Sequence, residues 1–439
     1  MTGAPEAASE APFLVALNLT RRCNLACAHC YMDAGARARG GADELSTAEV
    51  TGILDQIAAL SDETMVVLTG GEPMLRKDIY DIARHAGGLG LMAVLGSNGT
   101  LFDEARVAAL KDAGVQAVGI SLDSLDPEYH DRFRGREGCW AETMAGIDCC
   151  RRAGLMLQLH FSVTGDNAGE LDDMIAFARA AGAVVLNVFF MVCTGRGESL
   201  TNISAEVYDS VLSRVAEAAR DERELVVRAR CAPHFKRMAL EMEPPLPLTL
   251  RDGYEAGGCL AGTRYCRVTP EGELTACPYM EASVGSLRAD DFAALWRDAP
   301  LFQQLRAPKL EGRCGECEYG KLCGGCRARP LGRSGELMGE DFLCRYEPRG
   351  SALIEPLTTP DAALGWTPEA EVWLKRVPAF VRRFVKRRAE DHAREMHADV
   401  VTAQHMQTLA RRRFGSTGSP GGPPGVAARR GRPGMEGGA

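Results

Sequence analysis

Three cysteines near the amino terminus have a spacing that suits metal chemistry. Cys23, Cys27 and Cys30 form the pattern C-x3-C-x2-C directly after the first predicted strand. Three thiolates in one short loop can hold three irons of a [4Fe-4S] cube and leave the fourth iron open, whereas structural zinc is coordinatively closed. The pattern therefore predicts a cluster that does chemistry at its open iron.

A second group of cysteines lies in a loop-rich segment that holds eight of the sixteen cysteines in the chain. Its densest part has the pattern C-x2-C-x5-C-x2-C, formed by Cys314, Cys317, Cys323 and Cys326. Disulfides are disfavoured in a reducing compartment, so this clustering indicates metal or redox chemistry. By spacing alone, zinc and iron–sulfur clusters are alternatives for this segment.

The first half of the chain alternates short apolar runs with amphipathic stretches. The apolar runs lie at 13–19, 65–69, 91–95, 117–122, 155–163 and 183–190. Strand and helix repeating in this order indicate a parallel sheet with helical crossovers. Six such units predict an α/β fold built on a partial (β/α)6 TIM-type barrel.

The length of 439 residues predicts two or three domains. We expect the barrel over 12–243, a small cysteine-rich domain organised by metal over 255–350, an all-α module over 362–414 and a disordered Gly- and Pro-rich tail over 415–439.

Composition and charge narrow the class of protein. The net charge of −8 argues against a generally basic nucleic-acid binder. No apolar run approaches the ~18 residues that a membrane helix needs, so no membrane span is expected. The first residues, MTGAPEAASEAP, lack the basic start and apolar core of a secretion signal. A cytoplasmic protein is the resulting expectation.

Four motifs resemble those of the radical S-adenosylmethionine (SAM) superfamily: RRCNLACAHCY at 21–31, TGGEP at 69–73, SNGT at 97–100 and ISLDS at 120–124. They follow the first four predicted strands, at the face where barrel enzymes place their active sites. The resemblance implies a [4Fe-4S] cluster on the three cysteines that binds SAM, and an external one-electron reductant of the flavodoxin or ferredoxin class. It also implies a SAM site formed by His29, Gly70, Gly71, Glu72, Pro73, Ser97, Asn98, Ser121 and Asp123.

The second cysteine group resembles the SPASM extension of radical SAM enzymes, which carries auxiliary iron–sulfur clusters. The resemblance implies one or two auxiliary [4Fe-4S] clusters. One would use Cys259, Cys266, Cys277 and Cys326, and the other Cys314, Cys317, Cys323 and Cys344. The chain departs from the usual final spacing C-x3-C, because only two residues separate Cys323 from Cys326.

Two further resemblances indicate a tetrapyrrole as the substrate. The segments 124–135, 258–280 and 313–330 resemble the radical SAM enzymes of heme synthesis from siroheme, of siroheme side-chain removal and of heme d1 maturation. The segment 366–406 resembles the C-terminal module of the light-independent protochlorophyllide reductase B subunit. Together they imply hydrogen abstraction from a propionate, followed by oxidative decarboxylation to a vinyl group or by removal of the propionate.

Two alternatives come from other classes of protein. A SPASM-type maturase of ribosomally made peptides often has an N-terminal peptide-recognition module of about 80 residues, and only about a dozen residues precede the first strand here. A non-catalytic tetrapyrrole or iron–sulfur carrier would predict a damaged SAM site, yet the motifs are intact.

The remaining cysteines are expected to pack in the interior, with the roles of the last two open: Cys139, Cys149, Cys150, Cys193 and Cys231.

Overall fold

The computed structural model describes residues 11–35, 43–192, 194–196, 203–244, 246, 258–355, 364–377, 379–396 and 398–414. The predicted tail and Cys193 lie outside these residues. The chain groups into two compact units, Met1–Asp361 and Ala362–Ala439.

Seven parallel strands in sequence order form the centre of the first unit. They are β1 (Leu14–Asn18), β2 (Met65–Thr69), β3 (Met92–Ser97), β4 (Ala117–Ser121), β5 (Met156–Val163), β6 (Val185–Phe190) and β7 (Val226–Arg230). The first six are the predicted strands, which confirms the α/β class. Strand β7 extends the sheet by one parallel strand beyond the predicted six.

Helices connect the parallel strands. They are α1 (Thr47–Leu60), α2 (Ile79–Gly88), α3 (Glu104–Asp112), α4 (Pro127–Arg134), α5 (Cys139–Arg152), α6 (Leu171–Ala180), α7 (Ala205–Asp221) and α8 (Phe235–Glu241). Helix α1 shows why these segments are helical. Ser46 caps its first turn in a capping box with Glu49, and its apolar residues recur at helical spacing on one buried face.

The cysteine-rich region continues the same sheet. Strand β8 (Tyr265–Val268) pairs in parallel with β1, and β9 (Glu273–Cys277) and β10 (Met280–Ser286) follow as antiparallel strands. Around them lie α9 (Phe292–Asp298), α10 (Pro300–Arg306), α11 (Gly312–Glu316) and α12 (Ala328–Ser334). The barrel and the cysteine-rich region, expected as separate domains, therefore share one sheet.

The register assigns side chains to the two faces of this sheet. Neighbouring paired residues point to the same face, and successive residues of a strand alternate. Val15 and Leu17 are fully buried in a core that includes the apolar side of α1. We call this side the outer face. The opposite, inner face carries Asn18 and, through the pairings from β1 to β5, His160.

The second unit consists of α13 (Pro368–Arg376), α14 (Ala379–Glu395) and α15 (Ala403–Phe414). Its buried core includes Ala370, Ala393 and Met406. The prediction of an all-α module is corrected by one detail: β11 (Gly365–Trp366) and β12 (Val400–Val401) form a short parallel pair. No helix among the described residues of either unit is long and apolar enough to cross a membrane.

A buried ion pair joins α4 to the end of β4. Arg134 Nη2 lies 2.5 Å from Asp123 Oδ2, and both side chains are almost completely buried. Burial opposes ionisation of Asp123, but the charge of Arg134, together with His29, His130 and the Ser162 amide, lowers the pKa of the carboxyl. Burial of Arg134 without a counter-charge would strongly destabilise the folded state.

We predict that Asp123→Ala lowers the free energy of unfolding by about 3–5 kcal/mol at pH 7, because it leaves the Arg134 charge buried and unpaired. The matched control is Asp126→Ala at the N-cap of α4, the helix that carries Arg134. Loss of this surface N-cap should cost about 1 kcal/mol. Denaturant titration of both variants measures the difference. A cost for Asp123→Ala no larger than that of the control would contradict the prediction.

The stability that the Asp123 carboxylate contributes should depend on pH. A carboxyl whose pKa is lowered in the folded state contributes stability above its unfolded pKa and loses it as pH falls through the folded value. The difference between the wild type and Asp123→Ala should therefore shrink as the pH is lowered below the ordinary range of aspartate.

Candidate active site

The three N-terminal cysteines lie together on the segment that follows β1. Cys23 is buried and Cys27 and Cys30 are half-buried. Backbone N–H groups donate to the Sγ atoms of Cys23 (3.5 Å) and Cys30 (3.4 Å), and Arg134 Nη1 donates to Cys27 Sγ (3.6 Å). Donors of this kind favour thiolates, the form in which cysteine binds iron.

Burial raises the pKa of Cys23 to about 12. The thiol therefore keeps its proton until a metal displaces it. The site fits a cluster, because the loop gathers the three sulfurs and each sulfur has a donor, two from the loop backbone and one from Arg134 of α4.

Gly70 and Gly71 bring the end of β2 against the backbone of this loop. Gly71 N donates to Thr20 O (2.7 Å), and the next amide donates to Arg22 O (2.8 Å). A Cβ at Gly71 would lie 2.2 Å from Arg22 O, and one at Gly70 would lie 2.7 Å from Thr20 O. Only glycine permits this approach, so both residues are needed to dock the loop.

Arg196 holds the same loop from the segment after β6. Its Nε donates to Cys27 O (2.9 Å) and its Nη2 to Ala34 O (2.8 Å), while Nη1 pairs with Asp33 (2.6 Å). Sequence reasoning missed both Arg196 and Arg134, because neither has a spacing that distinguishes it from the other arginines of the chain.

Glu72 is fully buried and its carboxylate is occupied by the chain itself. It accepts from the hydroxyl of Ser97 (2.9 Å), from Asn98 N (2.9 Å) and from Met74 N (3.1 Å), at the start of the 3-10 turn Pro73–Leu75. Burial raises the pKa of Glu72 to about 7, although these donors oppose the rise. The carboxylate thus joins the ends of β2 and β3 rather than facing the open site.

Asn98 links the third strand to the cysteine loop. Its Nδ2 donates to Asn24 Oδ1 (2.9 Å) and lies 3.9 Å from Cys23 Sγ. Ser121, the last residue of β4, is half-buried and pairs in register with His160 on the inner face. The structure therefore gathers Ser97, Asn98 and Ser121 at the C-terminal strand ends, as the motif positions predict.

Asp123 uses both carboxylate oxygens within the chain. Oδ1 accepts from Ser162 N (3.0 Å), and Oδ2 pairs with Arg134. Asp123, like Glu72, therefore holds other parts of the chain in place, here Arg134 and the backbone of Ser162.

His29 differs from these carboxylates because its ring has an unused polar atom. The ring stacks on Phe133 with centroids 4.4 Å apart. Its Nδ1 is buried with no hydrogen-bond partner in the described part of the chain. Burial lowers the pKa of His29 to about 4, so the ring is neutral. A flat ligand with polar edges, such as adenine, fits a neutral aromatic ring beside the cluster loop.

One predicted auxiliary set surrounds a single cavity. Its walls include all four of the cysteines assigned to that set: Cys314, Cys317, Cys323 and Cys344. Gly325 N donates to Cys323 Sγ (3.5 Å), and Arg327 Nη2 lies 3.9 Å from Cys314 Sγ. Four thiols around one cavity, with donors to the sulfurs, fit an iron–sulfur cluster.

No three or more His, Cys, Asp or Glu among the described residues are arranged to hold a single metal ion. Each cysteine of a cubane binds a different iron, so a cluster does not need that chelating arrangement.

The other predicted set needs a correction, because Cys266 lies on the wrong face of the sheet. Cys266 pairs in register with Val15 and therefore points to the outer face, where it is completely buried. Arg267, the next residue, points inward, and it pairs with Thr275. Cys277 is two residues beyond Thr275 and also points inward. The sheet thus separates Cys266 from Cys277.

The inner face near β7 carries two arginines. Arg228 pairs in register with Asn187, and Arg230 donates through Nε to Asn187 Oδ1 (2.9 Å). His160 lies on the same face with its ring against Gly119, where a Cβ would approach within 2.5 Å of the imidazole. This wall of the barrel combines two positive charges with a histidine whose pKa burial lowers to about 4.

Family models match three parts of the chain. They are the Radical SAM superfamily at residues 17–178, the SPASM iron–sulfur cluster-binding domain at 259–326 and the proto-chlorophyllide reductase 57 kD subunit at 366–409. The first two confirm the resemblances identified from the cysteine spacing, and with them the cofactors: SAM, its [4Fe-4S] cluster and auxiliary iron–sulfur chemistry.

Similar proteins agree with these models. The chain is 38% identical to the AdoMet-dependent heme synthase of Oleidesulfovibrio alaskensis, over 78% of this chain and 90% of that protein. It is 31% identical to the pre-heme d1 synthase of Dinoroseobacter shibae, over 75% and 85% respectively. SuiB of Streptococcus suis, solved with S-adenosylmethionine, has the same fold, with a TM-score of 0.62 at 18% identity over 77% of this chain and 78% of that one. The chain therefore belongs to the radical SAM superfamily, as a SPASM-containing enzyme of the group that includes the AdoMet-dependent heme synthases.

Proposed function

We propose that this enzyme modifies propionate side chains of an iron porphyrin, by oxidative decarboxylation to vinyl groups or by removal of the propionate. The observation that carries the proposal is the 38% identity to a heme synthase over nine tenths of that protein. The similarity to a pre-heme d1 synthase and the match of the C-terminal unit to a protochlorophyllide reductase model support the same class of substrate.

We also propose which site residues bind the cofactors. Cys23, Cys27 and Cys30 hold the cluster to which SAM binds. When bound, the cofactors supply a 5′-deoxyadenosyl radical that takes a hydrogen atom from the propionate, and an acceptor for the electron released as CO2 leaves and a vinyl group remains.

The chain's own residues fix the geometry of this site. His29 would offer its stacked ring and unused Nδ1 to adenine, and Ser97, Asn98 and Ser121, at the strand ends, would lie near the ribose and carboxylate of SAM. Gly70 and Gly71 dock the loop, and Pro73 begins the 3-10 turn that follows them. Glu72 and Asp123 act through the groups that they hold, since their oxygens already accept hydrogen bonds or ion pairs within the chain.

Arg228 and Arg230 are proposed to bind substrate propionates. A guanidinium group matches a carboxylate in a bidentate, charge-assisted pair. Both residues are half-buried on the inner face of β7. The site thereby offers two positive groups to a substrate that carries several carboxylates. An external flavodoxin or ferredoxin remains the proposed electron donor.

The two alternatives have less support. Peptide maturation gains nothing from the SuiB likeness, which at 18% identity shows the fold alone. The carrier hypothesis is set aside because the chain belongs to a family of enzymes and keeps its cysteine triad.

We predict that the reconstituted enzyme, with SAM, a one-electron reductant and an iron porphyrin that carries propionates, yields 5′-deoxyadenosine together with a mass loss on the porphyrin. Cys27→Ala should abolish SAM cleavage, because one iron loses its ligand. Cys149→Ala, which replaces a buried cysteine of α5, is the matched control and should retain cleavage. Liquid chromatography with mass spectrometry follows both products. If no member of a panel of propionate porphyrins stimulates 5′-deoxyadenosine formation, the proposed substrate class is wrong.

We predict that Arg228→Met and Arg230→Met each raise the KM for the iron porphyrin roughly 10- to 100-fold, since a charge-assisted hydrogen bond is worth about 1.5–3 kcal/mol. Arg84→Met, an exposed arginine of α2, is the control and should leave KM unchanged. SAM cleavage without porphyrin should be the same in all three variants. An unchanged KM in both β7 variants would remove these arginines from the substrate site.

A further inference from the structure

Cys231 directly follows β7 and has a backbone conformation that is unusual for a residue with a side chain. Its φ is +57°, in the left-handed region that disfavours a Cβ and costs on the order of 1 kcal/mol or more. Its carbonyl accepts a 2.5 Å hydrogen bond from Arg329 Nη2. The surrounding structure therefore holds the backbone of Cys231 in this left-handed conformation.

The same arginine connects Cys231 to Cys326. Arg329 Nη1 donates to Asp341 Oδ2 (2.8 Å), and both side chains are buried. That carboxylate oxygen also accepts from Cys326 N (2.8 Å). One buried ion pair thus fixes the backbones of two cysteines that are far apart in the sequence.

The side chain of Cys231 lies among the inward-facing cysteines of the predicted set. Tyr279 donates its hydroxyl to the sulfur of Cys231 and its backbone N–H to the sulfur of Cys277. Cys259 lies beside the segment that leads to Cys326, because Gly258 N donates to Leu322 O (2.9 Å) and a Cβ at Gly258 would lie 2.3 Å from Cys323 O. Tyr279 thus links Cys231 to Cys277, and the Arg329–Asp341 pair links Cys231 to Cys326, whereas Cys266 lies across the sheet.

We propose that Cys231, and not Cys266, is the fourth cysteine ligand of the auxiliary cluster that Cys259, Cys277 and Cys326 hold. Four thiolates satisfy all four irons of a [4Fe-4S] cluster. This cluster then has no open iron for substrate, and its chemistry is electron transfer. The inference rests on the auxiliary clusters and not on the identity of the substrate.

The test uses a full-length background in which Cys23, Cys27 and Cys30 are all replaced by Ala, so that every bound iron belongs to an auxiliary cluster. The reconstituted parent should contain about eight irons per chain, as two cubanes require. Adding Cys231→Ala should lower the iron and sulfide content or change the electron paramagnetic resonance (EPR) spectrum of the reduced protein. Adding Cys266→Ala, the matched control, should leave both measurements as in the parent.

A Cys231→Ala protein with the iron content and EPR spectrum of the parent would overturn the inference, and so would a loss confined to Cys266→Ala. If Cys231→Ala does not fold, as judged by circular dichroism, Cys231→Ser replaces it. Serine keeps the size of the side chain but exchanges sulfur for oxygen, so the EPR spectrum should shift while the fold is retained. None of these measurements requires catalysis, so a failure of the porphyrin proposal would leave their outcome unchanged.

Discussion

A loop that carries three cluster ligands cannot place them by itself. Residues 19–35 form no helix or strand, so the backbone polar groups of this partly buried segment must find partners elsewhere. The ends of other elements supply them. The amides after β2 reach Thr20 and Arg22, Arg196 reaches two carbonyls, and the carbonyl of Arg134 at the end of α4 accepts from Ala26 N. The fixed geometry that chemistry at an open iron needs is thus provided by the barrel.

Buried ion pairs recur next to the cysteines. Asp123–Arg134 lies beside Cys27, and Asp341–Arg329 lies beside Cys231 and Cys326. In each pair the carboxylate neutralises a buried arginine, and that arginine donates to a sulfur or to the backbone of a cysteine. Reduction adds negative charge to a cluster, so donors and positive charges near its sulfurs stabilise the reduced form. If the proposed clusters are bound there, the ion pairs stabilise the fold and place positive charge near the cluster ligands.

Much of this site was predictable from the sequence, because spacing within a short loop determines proximity. The triad Cys23, Cys27 and Cys30 needs no knowledge of the sheet. The set around the cavity that contains Cys314 and Cys344 follows from the resemblance to the SPASM extension. The face on which Cys266 lies is not predictable in this way, because strand residues alternate between faces and its pairing with Val15 is a long-range contact.

Residues that act through long-range contacts are also not predictable from the sequence. Arg134, Arg196 and Cys231 gain their roles only when distant segments meet, and none belongs to a local motif. The segment 225–229 is strand-like in the sequence, but β7 contains two arginines and therefore lacks the continuous apolar run of the six predicted barrel strands. The two-residue strands of the second unit fall below the length at which alternation is detectable.

Transfer of isotope tests the central claim most directly. An iron porphyrin deuterated on its propionate side chains is incubated with SAM, reductant and the reconstituted enzyme, and the 5′-deoxyadenosine is analysed by mass spectrometry. The account predicts that the 5′-deoxyadenosine gains deuterium while the porphyrin loses mass. Unlabelled 5′-deoxyadenosine alongside an unchanged porphyrin would contradict it.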